Sequence, residues 1–157
     1  MSAFFDTSVI VYVYDALSGA KQVRAAALVE RHARERTFVV STQVLQESYV
    51  NLVRKRFLEP GLALRVVENL AMGRVMPADA ASVLRGLRLS QRHQLSAWDG
   101  LIVQAALDAG CTMLYTEDLQ AGQRFDDLEV VNPFADVAHE PRRTYRARPT
   151  APRKRPK

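Results

Sequence analysis

Residues 96–118, Ser-Ala-Trp-Asp-Gly-Leu-Ile-Val-Gln-Ala-Ala-Leu-Asp-Ala-Gly-Cys-Thr-Met-Leu-Tyr-Thr-Glu-Asp, constrain the fold more than any other stretch of the chain. Ala97 to Ala109 is apolar at helical spacing, with a narrow polar strip at Gly100, Gln104 and Asp108. Asp99 is not on that strip. At about 100° per residue it lies roughly 140° round the helix from Gln104, on a face expected to be buried. A lone carboxylate there is costly unless something pairs with it. Gly110 ends the helix, Thr112 to Thr116 reads as a short strand, and Asp118 follows at its carboxyl end, where open α/β sheets place their ligands. The ordinary reading of Asp99 is a capping box opened by Ser96. The two readings are compatible, because an acid at a helix N-terminus faces the positive end of the macrodipole and stays ionised, as a metal ligand must.

The rest of the chain alternates short apolar runs with helical patterns. Ala3-Phe4-Phe5 reads as a strand that stops at Asp6-Thr7-Ser8 and feeds a short buried helix over Val9 to Tyr14, with Asp6 or Ser8 available as its cap. Capping is the ordinary role for Asp6; the alternative is that, as a carboxylate at the carboxyl end of the first strand, it faces the same crevice as Asp118. Lys21 to Arg36 is an Ala-rich helix with a Glu30 to Arg34 pair. Phe38-Val39-Val40 is a strand, and Ser41-Thr42 open a helix with Val44, Leu45, Ser48, Leu52 and Val53 inward and Gln43, Glu47 and Asn51 along its border. Taken alone, Glu47 is an ordinary surface acid. Leu62 to Met72 is expected to turn Leu64, Val67 and Leu70 or Ala71 inward. Arg74 to Met76 is a strand, and Asp79 caps a helix to about His93 with Val83, Leu84 and Leu87 inward and Arg85, Arg88 and Arg92 outward. Leu119 to Phe125 is a loop and Glu129 to Val131 a last strand. This order predicts an α/β fold, a three-layer α/β/α sandwich around a mostly parallel sheet.

The net charge of +5 belongs to one end of the chain. Residues 141–157 carry eight of the 22 basic residues, four of the seven prolines and no acid, and without those eight the remainder holds 14 basic against 17 acidic residues. One domain over residues 1–140 and a disordered basic tail over 141–157 are therefore expected. The tail is either an electrostatic arm for RNA or an acidic partner, or a solubilising extension. The lone Cys111 excludes an intrachain disulfide and reads as a small core residue. With no signal-peptide pattern and no bilayer-length apolar run, a cytoplasmic protein without membrane contact is expected.

Four carboxylates, Asp6, Glu47, Asp99 and Asp118, are candidates for one end of the sheet. Like charges brought together raise one another's pKa, so the cluster calls for a cation, and an oxygen-only set suits Mg²⁺ or Mn²⁺ rather than zinc. His32, His93 and His139 have no ligand spacing, and no phosphate-binding loop, nucleophile elbow or dinucleotide fingerprint is present.

Asp6-Thr7-Ser8, Gln46-Glu47, Ser96-Ala97-Trp98-Asp99-Gly100-Leu101-Ile102-Val103, Thr116-Glu117-Asp118 and Val131-Asn132-Pro133-Phe134, in that order, resemble the PIN-domain ribonucleases, and most closely the VapC-type toxins of toxin and antitoxin pairs. The resemblance covers residues 1 to about 135. It implies a metal-dependent endoribonuclease whose ligand acids fall on Asp6, Glu47, Asp99 and Asp118, with Ser8 and Thr116 as supporting hydroxyls. Glu117 would point away or bind a second ion. From the metal ion follows in-line hydrolysis of RNA to 5'-phosphate and 3'-hydroxyl ends, and the resemblance also implies a homodimer and a cognate antitoxin. Gly100 stands where the family often has alanine, a change expected only to weaken the helix slightly. RNA would be held by Arg85, Arg88 and Arg92 or by the tail. A catalytically silent PIN-like module binding RNA or protein is the alternative. A receiver domain fits poorly, since the only lysines before the tail are Lys21 and Lys55.

Overall fold

The computed structural model describes residues 1–137. The basic tail, His139 and the 140/141 boundary lie outside the described residues. The chain runs β1 (Ala3–Phe5), α1 (Thr7–Tyr14), α2 (Ala20–Arg34), β2 (Phe38–Ser41), α3 (Thr42–Arg54), α4 (Pro60–Ala71), β3 (Arg74–Met76), α5 (Ala80–His93), α6 (Ala97–Asp108), β4 (Met113–Tyr115), β5 (Arg124–Phe125) and β6 (Leu128–Val131). The six strands form one sheet in the order β3-β2-β1-β4-β6-β5, parallel except for β5.

Every residue of β1 and β2 is buried. Successive strand side chains point to opposite faces, so both faces of the sheet are covered, as the apolar runs without alternation require. Strand order moves outward from β1 to β2 to β3, then returns past β1 to β4. Right-handed crossovers put α1 to α4 on one face and α5 with α6 on the other. The packing agrees: α1 packs on α2 and α3, α3 on α4, and α5 on α6. The core gathers Phe4, Phe5, Ile10, Val39, Val40, Val103, Leu114 and Leu128, each worth about 1.5–3 kcal/mol of transfer free energy on burial if of Val, Leu or Phe size.

Several local expectations are corrected by packing. Leu64 is exposed and Ala63 takes the buried position on α4; Leu84 is exposed, while Gly86, Leu89 and Ser90 are buried on α5. On α6 the polar strip does not face water uniformly. Gly100 is buried against α5, where a Cβ would stand 2.5 Å from Ser90 Cβ and 2.6 Å from the Gly86 carbonyl oxygen. Glycine here permits two backbones to approach, a stronger role than the slight loss of helix propensity expected. Trp98, counted among the apolar face, is 66% exposed. The 119–125 loop contains the short strand β5, which hairpins back onto β6 through Arg124 and Glu129. Gly110 does end α6, with φ 63° and its N–H bonded to the Leu107 carbonyl.

Candidate active site

β1 and β4 are neighbours, and between them strand order changes direction. This is the switch point of an open α/β sheet, where the connections leave toward opposite faces and open a crevice at the carboxyl ends of the strands. Asp6 follows β1 directly, and its N–H donates to the Tyr115 carbonyl at 3.0 Å, extending the ladder by one rung. Thr116, Glu117 and Asp118 follow β4. A cleft of about 720 Å³ lies there, lined by Asp6, Glu47, Asp99 and Asp118 together with Glu117. All four sequence candidates therefore reach one cavity, each from a different element.

Asp6 is its most buried carboxylate, 7% exposed. It is the N-cap residue of α1, with Oδ1 accepting from the Thr7 N–H at 2.7 Å. Oδ2 accepts from the hydroxyls of Thr116 at 2.7 Å and Ser8 at 3.2 Å. Burial pushes its carboxyl up to about 7; the Thr116 hydroxyl and the Thr7 N–H oppose the rise, and the neighbouring Asp118 carboxylate adds to it. Desolvation outweighs these two donors.

Glu47 is turned toward the cleft by its neighbours. Its Oε2 accepts from Thr7 Oγ1 at 3.0 Å and its Oε1 from Gln43 Nε2 at 2.9 Å. The same Gln43 amide reaches the Trp98 carbonyl at 3.5 Å, joining α3 to the start of α6. Asp99 is both a cap and a cleft residue. Ser96 Oγ accepts from the Asp99 N–H at 3.1 Å and donates to Asp99 Oδ2 at 2.6 Å. Ser96 thus caps α6 as the spacing predicted, but the short acid accepts from the cap hydroxyl, where the acid of a full capping box would accept from the cap backbone N–H. Asp118 is exposed, and its N–H donates to Thr116 Oγ1 at 3.1 Å, so one threonine ties Asp118 to Asp6. Glu117 is occupied elsewhere: Tyr12 OH donates to it at 2.6 Å and Lys21 Nζ at 2.7 Å.

Among the described residues no three His, Cys, Asp or Glu side chains stand close enough together to form a ready-made metal group. Glu47 and Asp99 are each held by local donors instead, which keeps like charges apart. The donor chemistry nevertheless fits a hard divalent cation. Carboxylate and hydroxyl oxygens line the cleft without His or Cys, and a carboxyl buried beside a second one is the group whose charge a cation would restore.

Residues outside the sequence candidates also line the cleft, notably Thr7, Gln43, Asn51, Lys55 and Trp98. The i,i+4 order of Gln43, Glu47 and Asn51 was a legible signal for part of this wall; the others had none. Arg85, Arg88 and Arg92, expected to hold RNA, do not line it. Arg85 is paired instead with Asp108 at 2.7 Å. His32 is a core residue on Phe5 and Tyr115, and Cys111 is buried with its thiol pushed by burial to about 11. That thiol is an inert core group.

The fold and this acid-lined cleft define a parallel α/β protein with a switch-point site of oxygen donors. Residues 3–140 match the family model of the PIN domain, and the chain belongs to that family. A comparison with the curated proteins gave no match. Among solved structures, the chain is similar to a toxin-antitoxin complex from Klebsiella pneumoniae, with TM-score 0.64 and 19% identity over 84% of this chain and 98% of that one. It is also similar to VapC20 of Mycobacterium tuberculosis, described as a sarcin-ricin loop cleaving toxin, with TM-score 0.59 and 20% identity over 74% and 92%. A third is VapBC2 of Rickettsia felis bound to a promoter DNA fragment, with TM-score 0.58 and 16% identity over 83% and 97%. At these identities the likeness establishes the shared fold. No helix among the described residues is long and apolar enough to cross a membrane.

Proposed function

We propose that the chain is a Mg²⁺- or Mn²⁺-dependent endoribonuclease acting as the toxin of a toxin-antitoxin pair. The observation that carries the reading is that Asp6, Glu47, Asp99 and Asp118 line one cleft at the switch point of a PIN-family sheet. Asp6 and Asp99 would anchor the first ion, and Asp118 with Glu47 would complete the wall or hold a second. A bound divalent cation supplies an activated water and offsets the charge growing on the phosphodiester. Thr116 and Ser8 keep Asp6 aimed by donating to one oxygen, Thr7 does the same for Glu47, and Ser96 for Asp99. The products would carry 5'-phosphate and 3'-hydroxyl ends.

The toxin role and an antitoxin partner draw on the Klebsiella and Rickettsia complexes of the same fold. A homodimer is proposed with them. The deciding experiment incubates the purified full chain with single-stranded RNA in EDTA, Mg²⁺ and Mn²⁺. Ion-dependent cleavage, lost in Asp99→Asn with the fold retained by circular dichroism, is expected. RNA binding without cleavage under every ion condition would instead make this a silent binding module. Growth arrest on expression, relieved by a co-expressed partner, tests the toxin role separately.

A further inference from the structure

Beside the acidic cleft lies a second groove, of about 430 Å³, and the two share only Gln43 and Trp98 as lining residues. Its apolar walls are Met76, Pro77 and Val83 on one side and Leu101 and Ala105 of α6 on the other, with the amides of Gln43, Gln46 and Gln104 and the hydroxyls of Ser41, Thr42 and Ser82 as uncharged polar points. Its one charged lining residue, Asp108, is paired with Arg85 at 2.7 Å and accepts a hydrogen bond from the Gln104 amide at 2.8 Å. The groove is therefore largely uncharged, unlike the neighbouring cleft. On the ridge between them stands Trp98, 66% exposed and adjacent in sequence to Asp99.

An indole left in water on the rim of an uncharged slot, one residue from an acid of the cleft, is a platform for a planar apolar surface. We propose that Trp98 and this groove form a nucleobase subsite, in which a base flanking the scissile phosphate stacks on the indole and presents its edge to the Gln46 and Gln104 amides. The inference rests on the proposed RNA substrate. A nucleobase is the occupant because the site is continuous with the cleft through Trp98 and Gln43, so a strand whose phosphate lies among the acids passes directly over the ridge. Stacking tolerates any base, since every base has a π-face, while the amides add preference through the base edge. The arrangement also addresses a local difficulty: the acidic wall repels phosphates, so part of the grip on RNA must come from an uncharged contact.

Trp98 is the only tryptophan of the chain, so its fluorescence reports the subsite directly. The full chain is titrated, with Ca²⁺ in place of Mg²⁺ to limit turnover, with a short single-stranded oligoribonucleotide and with versions carrying one abasic position moved along the strand. Quenching by the intact strand, lost when the abasic position reaches one particular nucleotide, is expected. Trp98→Leu should weaken RNA binding roughly 5- to 150-fold, the equivalent of about 1 to 3 kcal/mol for one base stack. Trp98→Phe should restore most of it, and the salt slope should be unchanged because no charge is removed. Equal affinity in Trp98→Leu, or quenching indifferent to every abasic position, would overturn the subsite. So would a concentration-dependent change in fluorescence without RNA, which would mean that a second copy covers the indole. Hydrolysis of bis(p-nitrophenyl) phosphate by the wild type with Mn²⁺ tests the nuclease reading independently of any base.

Discussion

His32 and Asp6 are two titratable side chains buried to similar depth, 4% and 7% exposed, around the same strand. His32 makes edge contacts with Phe5 and Tyr115 at 5.3 and 5.5 Å between ring centroids, and its Nδ1 bonds Thr37 Oγ1 at 2.7 Å. Burial and the Arg31 charge lower its pKa, so it stays neutral and its burial is compensated by packing. Asp6, one residue beyond Phe5, has good donors but is pushed up to about 7 by burial first and by the Asp118 carboxylate second. The first arrangement stabilises the fold. The second holds a carboxyl whose charge burial disfavours and a cation would stabilise, which is how a candidate site differs from a core.

That contrast can be broken most severely at Asp6. On the proposed function Asp6→Asn should lower RNA cleavage by at least about a hundredfold, because loss of a carboxylate proposed to anchor an ion would remove several kcal/mol of charge stabilisation, yet should raise the melting temperature of the metal-free protein. A lower melting temperature would place Asp6 with His32 as a structural group. His32→Ala should do the reverse, costing about 2 to 5 kcal/mol of stability as a large-to-small core change while sparing cleavage measured well below the melting point. Equal loss of both in denaturant titrations and turnover assays would erase the distinction. Gly100→Ala is a steric lesion beside the cleft and should resemble His32→Ala. The clash with Ser90 and Gly86 predicts about 1 to 3 kcal/mol of destabilisation, with cleavage falling only if α6 shifts Asp99.

The two groups should also leave opposite marks on stability against pH. Asp6 binds its proton more tightly folded than unfolded, so metal-free stability is favoured below the ordinary carboxyl range and declines as pH rises toward 7. The slope approaches about 1 kcal/mol per pH unit. His32 binds its proton less tightly folded, so its contribution is present above the ordinary histidine value and is lost as pH falls through it. Asp6→Asn should therefore turn a falling profile between pH 5 and 7 into a flat or rising one, read by urea unfolding in EDTA. An unchanged profile would assign the slope elsewhere. The smallest effect is expected at Cys111, whose native thiol should resist iodoacetamide at pH 8 and react fully only after denaturation.

Much of the site was legible from local rules. Asp6 and Asp118 stand where apolar runs stop, and strand ends in a parallel sheet share an edge whatever the packing around them. Ser96 and Asp99 announce a cap from spacing alone. Glu47 was not legible in this way. Its helix pattern gives a border position but not the direction that border faces, and it was the resemblance to PIN-domain ribonucleases that raised it from an ordinary surface acid to a site candidate; Thr7 and Gln43 hold it in the structure.

The alternation of elements, the parallel sheet, most element boundaries and the strand-end acids follow from the sequence by itself, because they depend on neighbours a few residues apart. What only the tertiary structure decided concerns α6 above all. That helix is apolar nearly all round, so periodicity does not say which side meets α5. Close approach at Gly86, Ser90 and Gly100 settles that side and leaves Trp98 outside, on the ridge between two grooves. The exposed Leu64 and Leu84 have the same origin, since a helical stripe marks an apolar face without saying how much of it a partner covers.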